Sequence, residues 1–137
     1  MIIIPNFNNA ANNFQISPNF VLSEFQSPDT EEVKLHPRLI SMLEALLMVA
    51  GDGLIITSAY RTPEYNAKVG GAEYSYHLDG EAVDTRHSNL NLDKLAQAAY
   101  KIGFTGIIVH KGHVHLDIRP ADDPYFEGFT PEAKSSV

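Results

Sequence analysis

The sequence contains no cysteine. That excludes a disulfide scaffold and a thiolate-ligated zinc site together, and it leaves the redox compartment open. Positive charge is scarce: 10 Lys and Arg stand against 17 Asp and Glu, for a formal net charge of -7. Nucleic-acid binders concentrate positive charge, so nucleic acid is excluded as a partner, as is electrostatic adhesion to anionic wall polymers or lipid heads. Long apolar runs are also missing. None approaches the roughly 20 residues that a membrane-spanning helix needs, so no membrane insertion is expected. Met1-Ile2-Ile3-Ile4-Pro5-Asn6 is apolar only briefly and lacks the basic start of a secretory signal. The expectation is synthesis in the cytoplasm without a signal peptide, with release or another exit route needed for any target outside.

The 137 residues amount to one domain, and 44% hydrophobic with 20% charged residues is ordinary for a soluble globular protein. Residues 1–19, rich in Asn, read as an irregular N-terminal arm, and 120–137 as an irregular tail. Between them the signals are regular. His36-Pro37 opens a helix over 37–49, with Leu39, Ile40, Leu43, Leu46 and Leu47 on one face. His36 reads as a surface residue at its start. Residues 54–60 form a continuous apolar strand, a pattern that suggests burial on both faces. A short helix follows over 63–68, then a strand over 81–87. Asn91 or a neighbour caps a second long helix over 92–102. Strands over 106–110 and 113–119 flank Lys111-Gly112, a hairpin signal. Helices followed by short, tightly joined strands indicate an α+β fold, a small antiparallel sheet with helices packed on one side.

The chemistry centres on Ser75-Tyr76-His77-Leu78-Asp79-Gly80-Glu81-Ala82-Val83-Asp84 and on His113-Val114-His115-Leu116-Asp117. Catalytic zinc commonly takes three ligands from His, Asp and Glu and leaves a position for water. His77, Asp84 and His115 make such a set. Gly80 permits a sharp turn after His77. Period two in the last strand sets His113, His115 and Asp117 on one face, and Val114, Leu116 and Ile118 on the core face. His113 then lies about 7 Å along the strand from His115.

The pattern Ser-x-His-x2-Gly-x-Ala-x-Asp, followed by His-x-His-x-Asp, resembles the zinc D-Ala-D-Ala carboxypeptidase-like peptidases of family M15 (subfamily A type). Ser58-Ala59-Tyr60-Arg61-Thr62-Pro63-Glu64-Tyr65-Asn66, Val69-Gly70-Gly71-Ala72 and Phe20-Val21-Leu22-Ser23-Glu24-Phe25 add to the resemblance, which covers most of the chain. It implies a hedgehog/DD-peptidase-like fold and one Zn2+ per chain. It also implies a zinc-activated water that hydrolyses an amide next to a D-amino acid in peptidoglycan stem peptides or cross-links. His115 matches the zinc-ligand position before x-Asp. The match of Arg61 points to a fixed cation that stabilises charge developing on the carbonyl oxygen, and a guanidinium also grips a substrate carboxylate.

Some relatives carry an acidic residue three positions before the zinc histidine, where this chain has Gly112. The general acid/base is therefore assigned to His113, the alternative being a surface imidazole. Asp117 either accepts the free N–H of a ligand histidine or pairs with Arg119. Ser75 donates to substrate or caps the turn. Tyr60, Tyr74 and Tyr76 wall the groove or serve packing. His87 and His110 fall outside the motifs, and His110 is expected to face solvent or the partner strand.

The leading expectation is thus a monomeric zinc D,D-carboxypeptidase/endopeptidase-like enzyme of the phage endolysin kind, or a cytoplasmic dipeptidase. The alternative, kept open by Gly112, is a peptidoglycan-binding or virion structural module that retains the metal site without catalysis. The sequence leaves exo- or endopeptidase action, the bond and the host undetermined.

Overall fold

The computed structural model describes residues 2–4 and 13–132. Its longest helix, α1 (Pro37–Ala50), starts where His36 Nδ1 accepts the Arg38 N–H at 3.1 Å and proline occupies the first turn. Leu39, Leu43 and Leu46 recur at helical spacing and are fully buried. The short α2 (Pro63–Lys68) is capped by Thr62, and α3 (Leu92–Ile102) by Asn91, whose side chain accepts the Lys94 N–H at 2.8 Å. Leu95, Ala96 and Ala99 turn the buried face of α3 towards α1 and the main sheet.

That sheet contains β5 (Leu54–Ser58), β6 (Ala82–His87), β7 (Gly106–Val109), β8 (Val114–Asp117) and β9 (Tyr125–Glu127), in the order β5-β6-β8-β7-β9. The first four pair antiparallel, and β9 runs parallel to β7. Two small pairs complete the α+β architecture among the described residues: β1 (Ile2–Ile4) with β4 (Val33–Leu35), and β2 (Gln15–Ser17) with β3 (Phe20–Val21). The register of β6 on β8 places Asp84 opposite His115 and Val83 opposite Leu116. Side chains alternate along a strand and directly opposed residues share a face. One face of this pair therefore enters the core with Val83, Leu116 and Val114, all fully buried. The other face carries Asp84 and His115.

The structure corrects the sequence reading in several places. The sheet is mixed, because Tyr125–Glu127 is a strand where an irregular tail is expected. It is too short for a period to show, and only Phe126 packs against the core. The N-terminal arm is not wholly irregular, since Ile2–Ile4 and Gln15–Ser17 both pair; residues 5–12 and 133–137 lie outside the described ones. β5 is an edge strand and is half-buried rather than buried on both faces. With one neighbour, it is covered less fully than a central strand of the same composition.

Candidate metal centre

Two devices deliver the three ligand candidates, a strand register and a 3-10 turn. Asp84 and His115 are set side by side by the β6–β8 register. His77 sits on a 3-10 turn, Tyr76–Asp79, that Ser75 opens by accepting the His77 N–H at 3.1 Å. Gly80 closes the turn in the left-handed region at φ 70°, and a Cβ there would collide with the Lys34 backbone. One donor atom from each of His77, Asp84 and His115 lies within 4.8 Å of the others. His77 Nε2 is 3.2 Å and His115 Nδ1 3.5 Å from Asp84 Oδ1. The residues are only 2%, 5% and 8% exposed for His77, Asp84 and His115, so water screens them little.

Proton positions follow from the neighbours. His77 Nδ1 is 2.6 Å from the Ala59 carbonyl oxygen, which can only accept. His115 Nε2 is 2.7 Å from Asp117 Oδ2, a carboxylate oxygen. Both outer nitrogens therefore carry the proton, and the inner nitrogens of the neutral rings present lone pairs. Two lone pairs and a carboxylate oxygen converge on one small space, an arrangement that repels itself unless a cation lies between them. The donor set fits zinc in chemistry and number. It also answers to protons. Without a cation, a proton on an inner nitrogen takes its place: burial alone would raise the Asp84 pKa, but the hydrogen bonds that such protons on His115 and His77 make to it hold it far below the usual range. Burial alone would lower that of His115, but Asp117 and Asp84 raise it.

Around this centre the remaining residues take clear places. Arg61 donates from Nη2 to Asp84 Oδ2 at 2.9 Å, from Nε to Ser58 Oγ at 3.2 Å and from Nη1 to Asn66 Oδ1 at 3.4 Å. Its guanidinium thus turns Asp84 so that Oδ1 faces the histidines, a contact the sequence reading did not foresee. Asn66 is 4% exposed and in turn donates to the Ala72 carbonyl at 2.8 Å. Its side chain occupies the space a Cβ on Gly71 would need. Asn66 belongs to the Ser58–Asn66 match but carries no assigned role in sequence; the adjoining Gly70-Gly71 is the available signal that a side chain packs there.

His113 Nε2 is 3.7 Å from Asp84 Oδ1, and its side chain is 34% exposed. Burial lowers its pKa, and Asp84 opposes the shift. Its ring stacks on His110, with centroids 4.6 Å apart. His110 is exposed and lines the same cleft. The two alternatives for Asp117 coexist: the carboxylate accepts from His115 and from Arg119 Nε and Nη2, at 2.8 and 2.6 Å for the latter two. Hydrogen bonds from Arg119 and His115 overcome burial and hold the Asp117 pKa at about 2. Ser75 caps the turn and lines the cleft.

The cleft has a volume of about 440 Å³ and is walled by Tyr74 and Tyr76. Tyr60 does not join them: it is 4% exposed, with Lys34 Nζ above its ring at 6.0 Å. Gly112 is exposed, with open space around it. His36 caps α1, and His87 accepts the Asn89 and Leu90 N–H groups through Nδ1 while donating from Nε2 to the Gly51 carbonyl. Neither belongs to the centre.

The zinc D-Ala-D-Ala carboxypeptidase of Streptomyces albus G is 35% identical over 80 residues, which are 54% of this chain and 31% of that protein. The chain therefore spans about a third of the length of that relative. The Peptidase M15 family model matches residues 14–117, a stretch that contains Arg61, His77, Asp84, His113, His115 and Asp117. With its match running from the first hairpin to the end of the strand that bears His115, the chain belongs to the Peptidase M15 family.

Proposed function

We propose that the protein is a zinc peptidase that hydrolyses an amide next to a D-amino acid in peptidoglycan stem peptides or cross-links. The observation that carries the zinc reading is the pair of imidazole lone pairs aimed at Asp84 Oδ1, with both outer nitrogens tied to acceptors. The D-amino acid preference rests on the relative named a zinc D-Ala-D-Ala carboxypeptidase. His77, Asp84 and His115 would hold the zinc, which when bound would supply Lewis acidity to polarise a carbonyl and acidify water. His113, on the cleft side of Asp84, takes the proton of the attacking water and returns it to the leaving amine. Arg61 provides fixed positive charge where the carbonyl oxygen becomes negative. The Ser75 hydroxyl, already accepting from the His77 N–H, is free to donate to the substrate.

The test is zinc content measured together with mass spectrometry of digested peptidoglycan. One zinc per chain and new peptide ends at a D-residue are expected. Ala in place of His77, Asp84 or His115 should abolish metal and turnover together; full zinc occupancy in H115A would show that another residue is the ligand. Gly112, which offers no side chain, favours one competing reading, a binding module without catalysis. Bound zinc with no cleavage of any muropeptide would decide for that module.

A further inference from the structure

Arg119 lies beyond the residues that the family model matches. It stands two positions past Asp117, on the same side of the extended chain. Its backbone N–H and Nε donate to Asp117 Oδ1 at 3.1 and 2.8 Å, and its Nη2 donates to Oδ2 at 2.6 Å. Oδ2 is the same oxygen that receives the proton-bearing Nε2 of His115. Asp117 is fully buried, and its register partner is Gly106. A Cβ on Gly106 would fall within the Asp117 carboxylate, so the glycine leaves the space in which that carboxylate sits. The guanidinium also lies over the rings of Tyr76 at 4.9 Å and Tyr125 at 5.3 Å. Tyr76 immediately precedes His77, and Tyr125 belongs to β9. A single side chain therefore touches the turn that carries His77, the acceptor that orients His115, and the strand added at the sheet edge.

We propose that Arg119 is a positioning residue for the metal centre: it locks the Asp117 carboxylate so that His115 keeps its proton on Nε2 and its Nδ1 turned inward. Partners that fix a ligand histidine's ring and tautomer raise its fitness as a ligand. A planar fork engaged bidentately by a buried carboxylate holds that geometry better than a single contact would. The competing role, a receptor for a substrate carboxylate, fits less well, because Nε and Nη2 are already engaged by Asp117. The inference rests on the zinc reading above.

The experiment is zinc affinity by chelator competition on the full chain, with KM measured alongside. Arg119→Met should weaken zinc by about 10- to 100-fold. Asp117→Asn should do the same, and the double variant should be no weaker than Asp117→Asn alone, because both act through one route. Wild-type zinc affinity in R119M overturns the proposal, and so does an R119M effect of undiminished size in the D117N background. A raised KM with unchanged zinc affinity also overturns it and makes Arg119 a substrate contact. Should R119M fail to fold, Arg119→Lys keeps the charge and loses the fork; several-fold weaker zinc is expected, and unchanged affinity overturns the proposal. A wild-type protein that takes up no zinc removes the zinc reading and this inference together, whereas tight zinc in both wild type and R119M removes this inference alone.

Discussion

A neutral imidazole carries one proton, and the group that holds it decides what the other nitrogen can do. At His77 that group is the Ala59 carbonyl, and at His115 it is the Asp117 carboxylate. Asp117 was legible in the sequence, because period two puts it on the face of His115. Ala59 was not, since a backbone carbonyl leaves no mark on residue type. Arg61 was legible as a cation in the cleft but not as the partner of Asp84 Oδ2, which depends on where β5 ends. Arg61→Ala should keep the fold and, at saturating zinc, lose about 10²- to 10³-fold in kcat. Releasing Asp84 Oδ2 should also weaken zinc by roughly tenfold. A loss confined to KM would make Arg61 a carboxylate binder instead. His113→Ala should retain zinc, because His113 is outside the converging set, and turnover should fall by about 10²- to 10⁴-fold. Near-normal turnover would make His113 a bystander and direct the search for the base to carboxylates on other loops.

At the scale of elements, the turn that carries Arg61 is held from the N-terminal side. Ser27 Oγ donates to Asp29 Oδ1 at 2.6 Å and accepts the Thr62 N–H at 3.1 Å, while Thr62 Oγ1 donates to Asp29 Oδ2 at 2.7 Å. Thr62 also caps α2 by accepting the Tyr65 N–H. Burial acts to raise the Asp29 pKa, yet hydrogen bonds from Ser27 and Thr62 leave it below 3.8. A depressed folded pKa stabilises fully above the unfolded value and is lost as pH falls through the folded one. Asp29→Asn should therefore lower Tm at neutral pH, and the gap to wild type should close as pH falls below 3.8. A gap that stays constant as pH falls below 3.8, down to the lowest pH at which the protein remains folded, would place the stabilisation elsewhere. This latch joins residues 33 to 35 positions apart, a pairing that no local pattern announces. Helices α1 and α3 were readable because their apolar positions repeat over several turns and their caps are local. β9 and the 3-10 turn under His77 were not, for each is too short for a period and depends on its tertiary neighbours.

For the molecule as a whole, β6 and β8 divide the labour between their faces. Val83, Val114 and Leu116 complete a core with α1, α3 and β7 that, among the described residues, includes none of the candidate ligands His77, Asp84 and His115. The opposite face gathers Asp84 and His115, to which the 3-10 turn adds His77. The core is thus closed without zinc, in contrast to small zinc domains that unfold when stripped. The apo protein should be folded, yet three chain segments meet at the centre, and a ligand that binds only the folded state must stabilise it. At free zinc about 100-fold above Kd the gain is about 2.7 kcal/mol. For a chain of this size that corresponds to a rise in Tm of roughly 10 °C. Thermal unfolding of the chelator-stripped protein, with and without added zinc, measures it. His77→Ala should fold and show no such rise, because the turn that delivers its imidazole is held by Ser75 and Gly80 rather than by the ring. An equal zinc response in H77A would mean that the stabilising ion sits somewhere other than among His77, Asp84 and His115.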